Sequence, residues 1–547
     1  MRVLLISLFD EWCLGLRAIS SVIRTRGHQV TMAHLRGMPE MNDEAAVGDP
    51  DGYHAPPASV TGADFRALLD LTARCKPEVI GVSVSFSHLF GLAVEVTRRL
   101  RTVSDALIVW GGADTTANPD LSIEHADVVC VGEGDGAVAD LFERLEQGLP
   151  YDDIPNLWVR KNGEIRKNDI RKLEQNLDSL PFCDFDESDK YWISRGRAMA
   201  QALPDGSHLA TNFPIMATRG CPYSCTFCCN SLYRDMYGNK DYVRVRSVEH
   251  TLREIEQYIA AHPGTLSVEF HDDVFGVRQD WLEEFADKYP ARVGLPFFCY
   301  TYPSIARPEF VNAIKRAGVG FVAMGLQTGS QRILKEVYGR NAPRDKTIQA
   351  VERLHKAGIP VVLDLIGSNP FETDEDRLET LTLLLDLPKG SFILHETNSL
   401  AFYRNYPITN MAARMECLNP FIEGRNLAMA TESGEFRMWN ALLQLPQFAA
   451  LDRETILAMA HDPHLREHPE IVEGLLKALI EATYIPGTRL RRRDREEQLA
   501  SELARLKGSR AVRLYFGAKN WFRRMLPTRN GLFSGWRSTG PRAATTH

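Results

Sequence analysis

Apolar and polar residues alternate along this chain in two rhythms, and their order sets out the architecture. Residues 3–8 are a nearly unbroken apolar run, Val-Leu-Leu-Ile-Ser-Leu, as a strand covered on both faces requires. A loop over 9–13 leads into an amphipathic helix over 14–26, Gly27 closes it, and 29–33 begins a second strand. The rhythm returns with strand 79–85, helix 89–101, strands 106–110 and 127–131, and helix 137–147. Strands and helices alternating at this length predict an open, doubly wound parallel sheet over 1–150. Ligands of such sheets sit at the carboxyl ends of the strands. Here those ends bring forward Phe9, Trp12, Ser85, Gly111, Gly112, Thr115, Gly132, Glu133 and Gly134. Tight turns after buried strands also call for glycine on their own account.

Residues 151–205 read as a connector, with Lys161-Asn162-Gly163 signalling a hairpin between 157–160 and 164–166. From 206 to 400 a second alternation sets in. Strands are expected at 214–217, 266–270, 295–300, 320–326, 360–366 and 392–396. Helices at 248–261, 280–289, 308–317, 330–337, 344–357 and 374–386 accompany them. Active residues of barrel-like sheets gather at the carboxyl ends of their strands. Residues 401–488 read as mainly helical, with Tyr403, Arg404, Tyr406 and Trp439 as generic substrate-side candidates.

Composition changes this picture in one place. A chain of 547 residues that is 44% hydrophobic and 25% charged is an ordinary globular protein. No run approaches the ~20 apolar residues of a spanning helix, and no cleavable leader follows Met1-Arg2. Ten clustered cysteines suit a reducing compartment, so a cytoplasmic location is expected. The net charge of −7 hides a basic tail: residues 489–547 hold fifteen Lys/Arg against four Asp/Glu. Leu514, Phe516, Trp521, Phe522 and Leu526 interleave with Arg513, Lys519, Arg523 and Arg524 there, a pattern that fits an anionic membrane surface. A self-docked or solvated tail explains the same charge more simply, and nucleic acid explains it less well.

The chemistry concentrates at Cys221, Cys225 and Cys228, spaced four and then three residues along a loop kinked by Gly220 and Pro222. Three thiolates can hold three irons of a four-iron, four-sulfur (4Fe-4S) cluster, leaving the fourth iron open where a closed cluster takes four cysteines. A redox dithiol would use only Cys225 and Cys228 and leave Cys221 without a task. Zinc would want a fourth ligand at familiar spacing, and none follows. Cys229 is assigned to packing, because neighbouring side chains point apart.

The Cys-x3-Cys-x2-Cys triplet with Phe227 before its last cysteine resembles the radical S-adenosylmethionine (SAM) superfamily. The resemblance implies a partial (β/α)6 barrel whose open iron binds SAM, and whose cluster electron yields a 5'-deoxyadenosyl radical. It places Cys221, Cys225 and Cys228 on the metal, and Phe227, Asp272, Asp273, Tyr300, Gln327, Ser330 and Asn369 along the cofactor rim. Gly325-Leu326-Gln327-Thr328-Gly329-Ser330 and Gly367-Ser368-Asn369-Pro370-Phe371-Glu372-Thr373 are similar to rim motifs of that superfamily. Ser330 is also placed to cap the next helix. Trp110-Gly111-Gly112 through Pro119, and Val131-Gly132-Glu133-Gly134-Asp135, resemble the cobalamin-binding domain that precedes the barrel in one large subfamily. An Asp-x-His-x-x-Gly motif is missing, so no histidine is expected beneath the cobalt.

In that subfamily the common reaction is methylation of an unactivated carbon, using two SAM molecules and cobalamin. Cyclisation or rearrangement on the same scaffold is the alternative. A methylthiotransferase would need Cys13, Cys75 and Cys130 to converge, and a cobalamin carrier or sensor would not need the cysteine triplet. The resemblance further implies a small-molecule or peptide substrate and a reducing protein partner such as flavodoxin or ferredoxin.

Overall fold

The computed structural model describes residues 1–36, 60–200, 209, 211–238, 240–394, 397–413, 427–429, 433–448 and 450–483. The basic tail over 489–547 lies outside the described residues. Two compact units are formed, one by 1–376 with 391–431 and the other by 377–390 with the helices after 432.

The first unit is built on two sheets. Strands β1 (Arg2–Leu8), β2 (Gln29–Leu35), β3 (Val79–Ser83), β4 (Leu107–Gly111) and β5 (Val128–Cys130) run parallel. Their order is β5-β4-β3-β1-β2. Both faces of β1 are covered, and the period of two sorts its side chains. Leu4, Ile6 and Leu8 join a core beneath helices Gly62–Cys75 and Phe90–Leu100. Val3 and Leu5 join another beneath helices Leu14–Arg24 and Asp135–Glu146. The apolar run at 3–8 is therefore that of a central strand.

The segment expected to be a connector instead completes this sheet at both edges. β6 (Leu157–Lys161) pairs antiparallel with β5, and β7 (Glu164–Lys167) pairs with β6 through the Asn162-Gly163 turn. At the far side β8 (Lys190–Ser194) pairs with β2, and β9 (Arg197–Ala200) folds back on β8. The physical reason is the open hydrogen-bonding edge of β5 and of β2, which each hairpin satisfies.

The second sheet holds β10 (Asn212–Ile215), then β13 (Ser267–Phe270), β14 (Phe297–Thr301), β15 (Val319–Gln327), β16 (Val361–Gly367) and β17 (Ile393–Leu394), in that spatial order. All neighbouring pairs are parallel. These are the six expected strands, shifted by up to two residues at their ends. Short β11 (Thr218–Arg219) and β12 (Arg244–Val245) pair antiparallel and bracket the cysteine loop, while β18 (Asn398–Ser399) pairs with β16.

In the second unit, helices Gly434–Gln444, Arg453–Ala460, Pro463–Glu467 and Glu470–Thr483 enclose Met438, Trp439, Leu442, Leu465 and Val472. Trp439, a substrate-side candidate from sequence, is core there, and Tyr406 is buried in the first unit. Among the described residues no helix is long and apolar enough to cross a membrane.

Candidate active site

A cavity of about 530 Å³ lies between the strand ends of the first sheet and the cysteine loop. Its floor is made by glycines at 81, 111, 112, 132 and 134 together with Ser85, and its apolar wall by Leu16, Ile19 and Val138. On the opposite side stand Gly220, Cys229, Asn230, Tyr233, Tyr242 and Asp273. Among the described residues no histidine lines it.

Phe9, Trp12 and Thr115, expected here, do not line the cavity. Phe9 takes a left-handed backbone (φ 57°) and donates its N–H to Leu35. Trp12 packs on His271 with ring centroids 4.4 Å apart. Thr115 is buried and its hydroxyl donates to the Gly111 carbonyl at 3.3 Å. The adjacent Thr116 accepts from Gly132 N at 3.0 Å, so the motif threonine acts one residue later.

Glu133 lines the cavity, but its carboxylate faces Arg219 at 3.2 Å and is also bonded by Arg244. Arg219 further donates to both oxygens of Asp135, at 2.7 and 3.1 Å. Burial alone would raise the Asp135 carboxyl, but Arg219 overrides it and holds the group below its ordinary range. Tyr237 Oη accepts from Glu133 N at 2.8 Å. A Cβ at Gly132 would stand 2.0 Å from that oxygen, and φ there is +84°, so only glycine fits. The loop after β5 is thus fastened to the hairpin that opens the cysteine loop.

In that loop Cys221 and Cys225 are buried and Cys228 is half-buried. Burial pushes the Cys221 thiol up to about 12 and raises Cys225 as well. Cys228 is lowered, with the neighbouring Cys229 thiol as the chief cause. Cys229 also packs against the apolar cluster around Tyr338 and lines the cavity. Two further donors reach sulfur: Arg340 Nη1 at 3.6 Å from Cys225 and Asn230 Nδ2 at 3.7 Å from Cys228.

The rim residues divide by what they touch. Asp273 opens on the cavity and accepts from Asn230 Nδ2 at 2.9 Å. Asp272 is fully buried and accepts from Ala217 N at 3.2 Å, which makes it a support of the cysteine loop rather than a ligand group. Tyr300 sits in an aromatic row with Phe298 and His271. Gln327 has φ +68°, folds over Gly325, and makes no side-chain hydrogen bond among the described residues. Ser330 is buried, accepting from Ile333 N at 3.2 Å and donating to Asp376 at 2.6 Å, so it caps a helical turn and does not face a cofactor. Asn369 is buried too, bonded to Tyr338 Oη and to Phe371 N, and holds its own turn. Phe227 packs edge-on to Tyr338 at 4.9 Å.

Burial pushes the Asp272 carboxyl up to about 7, its bonds to Thr218 and Ala217 only partly offsetting this, and one oxygen is left without a partner. Its folded value lies above its unfolded one, so the native state holds a proton that the unfolded chain has released between about pH 4 and 7. Stability from this group is present below pH 4 and is lost as pH rises to 7. Asp272→Asn is expected to flatten the fall in unfolding free energy between pH 5 and 8, measured by urea titration, by no more than about 4 kcal/mol. An unchanged pH profile would contradict the assignment.

Residues 3–142 match the B12 binding domain, and residues 215–384 match the radical SAM superfamily. This chain is a cobalamin-dependent radical SAM enzyme. Among relatives of this enzyme is an uncharacterised methyltransferase of Pyrococcus horikoshii. It is 25% identical over 386 residues, covering 69% of this chain and 78% of the relative. Another is the cytidylyl-2-hydroxyethylphosphonate methyltransferase of Streptomyces wedmorensis, 21% identical over 439 residues, with 74% and 77% covered. In fold the radical SAM enzyme resembles TsrM from Kitasatospora setae, a radical SAM methyltransferase solved with cobalamin and a 4Fe-4S cluster. That match has a TM-score of 0.62 at 16% identity and covers 92% of this chain and 99% of TsrM.

The residues present fit the cofactors of a cobalamin-dependent radical SAM enzyme. Among the described residues the three loop sulfurs do not converge within 4.8 Å as a single ion would need. Ligands on separate irons suit them better, and two N–H donors already point at sulfur. The glycine-rich floor leaves the strand ends open to a ligand.

Proposed function

We propose that this radical SAM enzyme is a C-methyltransferase acting on a small molecule. The observation that carries the reading is the single cavity lined both by the glycine strand ends of the B12 binding domain and by the cysteine loop. Methyl carrier and radical source would then share one chamber. The distant relatives named above are methyltransferases, which points the same way.

When bound, SAM on the cluster supplies a radical able to take hydrogen from carbon, and cobalamin supplies a methyl carrier. The chain's own residues would divide the remaining work. Cys221, Cys225 and Cys228 would ligate the cluster, with Arg340 and Asn230 donating to two of the sulfurs. Asp273 would take the SAM ammonium, because it is the open carboxylate of its pair. Gln327 would offer its carboxamide as donor and acceptor. Ser85 and the backbone of Gly111, Gly112, Gly132 and Gly134 would seat the cobalamin, and among the described residues no histidine lines that cavity. The methylthiotransferase reading is weakened by distance. Cys75 lies against Thr31 on β2 and Cys130 is on β5, four strand spacings or ~19 Å away.

Anaerobic turnover with methyl-labelled SAM and candidate metabolites tests the proposal. The expected outcome is one labelled methyl in the product, with one 5'-deoxyadenosine and one S-adenosylhomocysteine released for each. Release of 5'-deoxyadenosine with an unlabelled, rearranged product would overturn it in favour of a cyclase or related reaction.

A further inference from the structure

In the second unit, the short helix Pro463–Glu467 carries a donor set that the radical reaction does not use. His464, Glu467 and His468 stand at i, i+3 and i+4, and one ligand atom of each lies within 4.8 Å of the other two. All three are exposed. The imidazole rings of His464 and His468 lie 4.4 Å apart, tilted by 51°. Glu467 makes no ion pair with Lys or Arg among the described residues.

The turn presenting these groups is held from several sides. Asp462 caps it, accepting from His464 N at 3.0 Å, and Pro463 presets its first residue. Leu465 is fully buried beneath it, and Pro469 packs next to Gly434 of the neighbouring helix. Glu470 Oε1 lies 3.1 Å from His468 Nδ1. A carboxylate in that place keeps the proton on Nδ1 and leaves the Nε2 lone pair for a metal, which is how metal-binding histidines are commonly oriented.

Two neutral imidazoles and a carboxylate form a borderline donor set that suits zinc and its first-row neighbours, and calcium or magnesium poorly. An ordinary solvated helix face would account for one such residue. It does not account for two imidazoles turned to each other, a carboxylate without a cationic partner, and a second carboxylate behind one of the rings. We propose that His464, Glu467 and His468 form a surface site for a divalent transition ion, with water completing the coordination. The site goes beyond the radical reaction and rests on none of its residues. Its ion would hold the turn that leads from Pro463–Glu467 into helix Glu470–Thr483, stabilising the fold by mass action.

The test uses the reconstituted holoenzyme, desalted to remove loose ions and titrated with Zn²⁺ against a chromophoric indicator. One saturable equivalent is expected beyond cluster and cobalamin. His464→Ala and His468→Ala should each abolish that step. Glu470→Gln should weaken it by roughly tenfold or more. His461→Ala, on the same exposed stretch, should leave it intact. These exposed substitutions leave the packed side of the helix unchanged, and iron and cobalt content would verify folding. A native enzyme with no saturable step, or a step surviving in the His464→Ala, His468→Ala double variant, would overturn the site.

Discussion

An enzyme carrying Cys221→Ala, Cys225→Ala or Cys228→Ala is expected to lose most of its cluster iron and to release no 5'-deoxyadenosine from SAM. Each sulfur is the one thiolate available to its iron, and two ligands do not hold an open cubane in a defined place. Burial already makes the free Cys221 and Cys225 thiols reluctant to ionise, so the metal supplies the reason for their charge. Cys229→Ala serves as the control. Its side chain packs against the apolar cluster around Tyr338, so its loss leaves the ligand set whole. Iron and sulfide analysis with 5'-deoxyadenosine release decides the matter. Full release by the Cys225→Ala enzyme would sink the assignment.

Arg219→Met is expected to have the next largest effect. Its guanidinium is the nearest countercharge to Asp135, whose side chain is 13% exposed, and it shares Glu133 with Arg244. Removing it leaves a largely buried carboxylate with only the more distant Arg244 as countercharge, at a cost of about 2–4 kcal/mol. The loop after β5 would come away from the hairpin, and with it one wall of the cofactor cavity. Lower thermal stability together with reduced cobalt content at unchanged iron content is the expected result. Asp135→Asn in the Arg219→Met background should recover part of the stability, because it removes the stranded charge. A variant with native melting and native cobalt would show that the fastening is dispensable.

The sequence made the strands of both sheets legible because their apolar runs have few competing explanations. β8 and β9 escaped notice for a physical reason: Tyr191, Trp192 and Ile193 are the only strong apolar run there, set among charges. Their Arg195-Gly196 turn is a two-residue hairpin with both residues at positive φ, a form more often signalled by Asn-Gly. In the site, cysteine spacing was readable because three sulfurs at short range can converge without help from the rest of the chain. Arg219 stands next to the motif and Asp135 within another, yet their pairing across 84 positions leaves no trace in either local pattern. Ser330 and Asn369 show the converse. A motif fixes a position in the fold, but only packing tells whether the side chain faces a ligand or its own turn.

The hairpins that finish the first sheet bear on how this protein can be taken apart. A cut at residue 150 would follow the match to the B12 binding domain, yet it would strip β6 from β5 and β8 from β2. Two unpaired edges would then offer their backbone N–H and C=O groups to any neighbouring chain, the usual start of intermolecular strand pairing. A fragment that keeps both edges of this sheet paired runs on through β9 at Ala200. A fragment meant to carry the first sheet intact must therefore be longer than the matched residues 3–142.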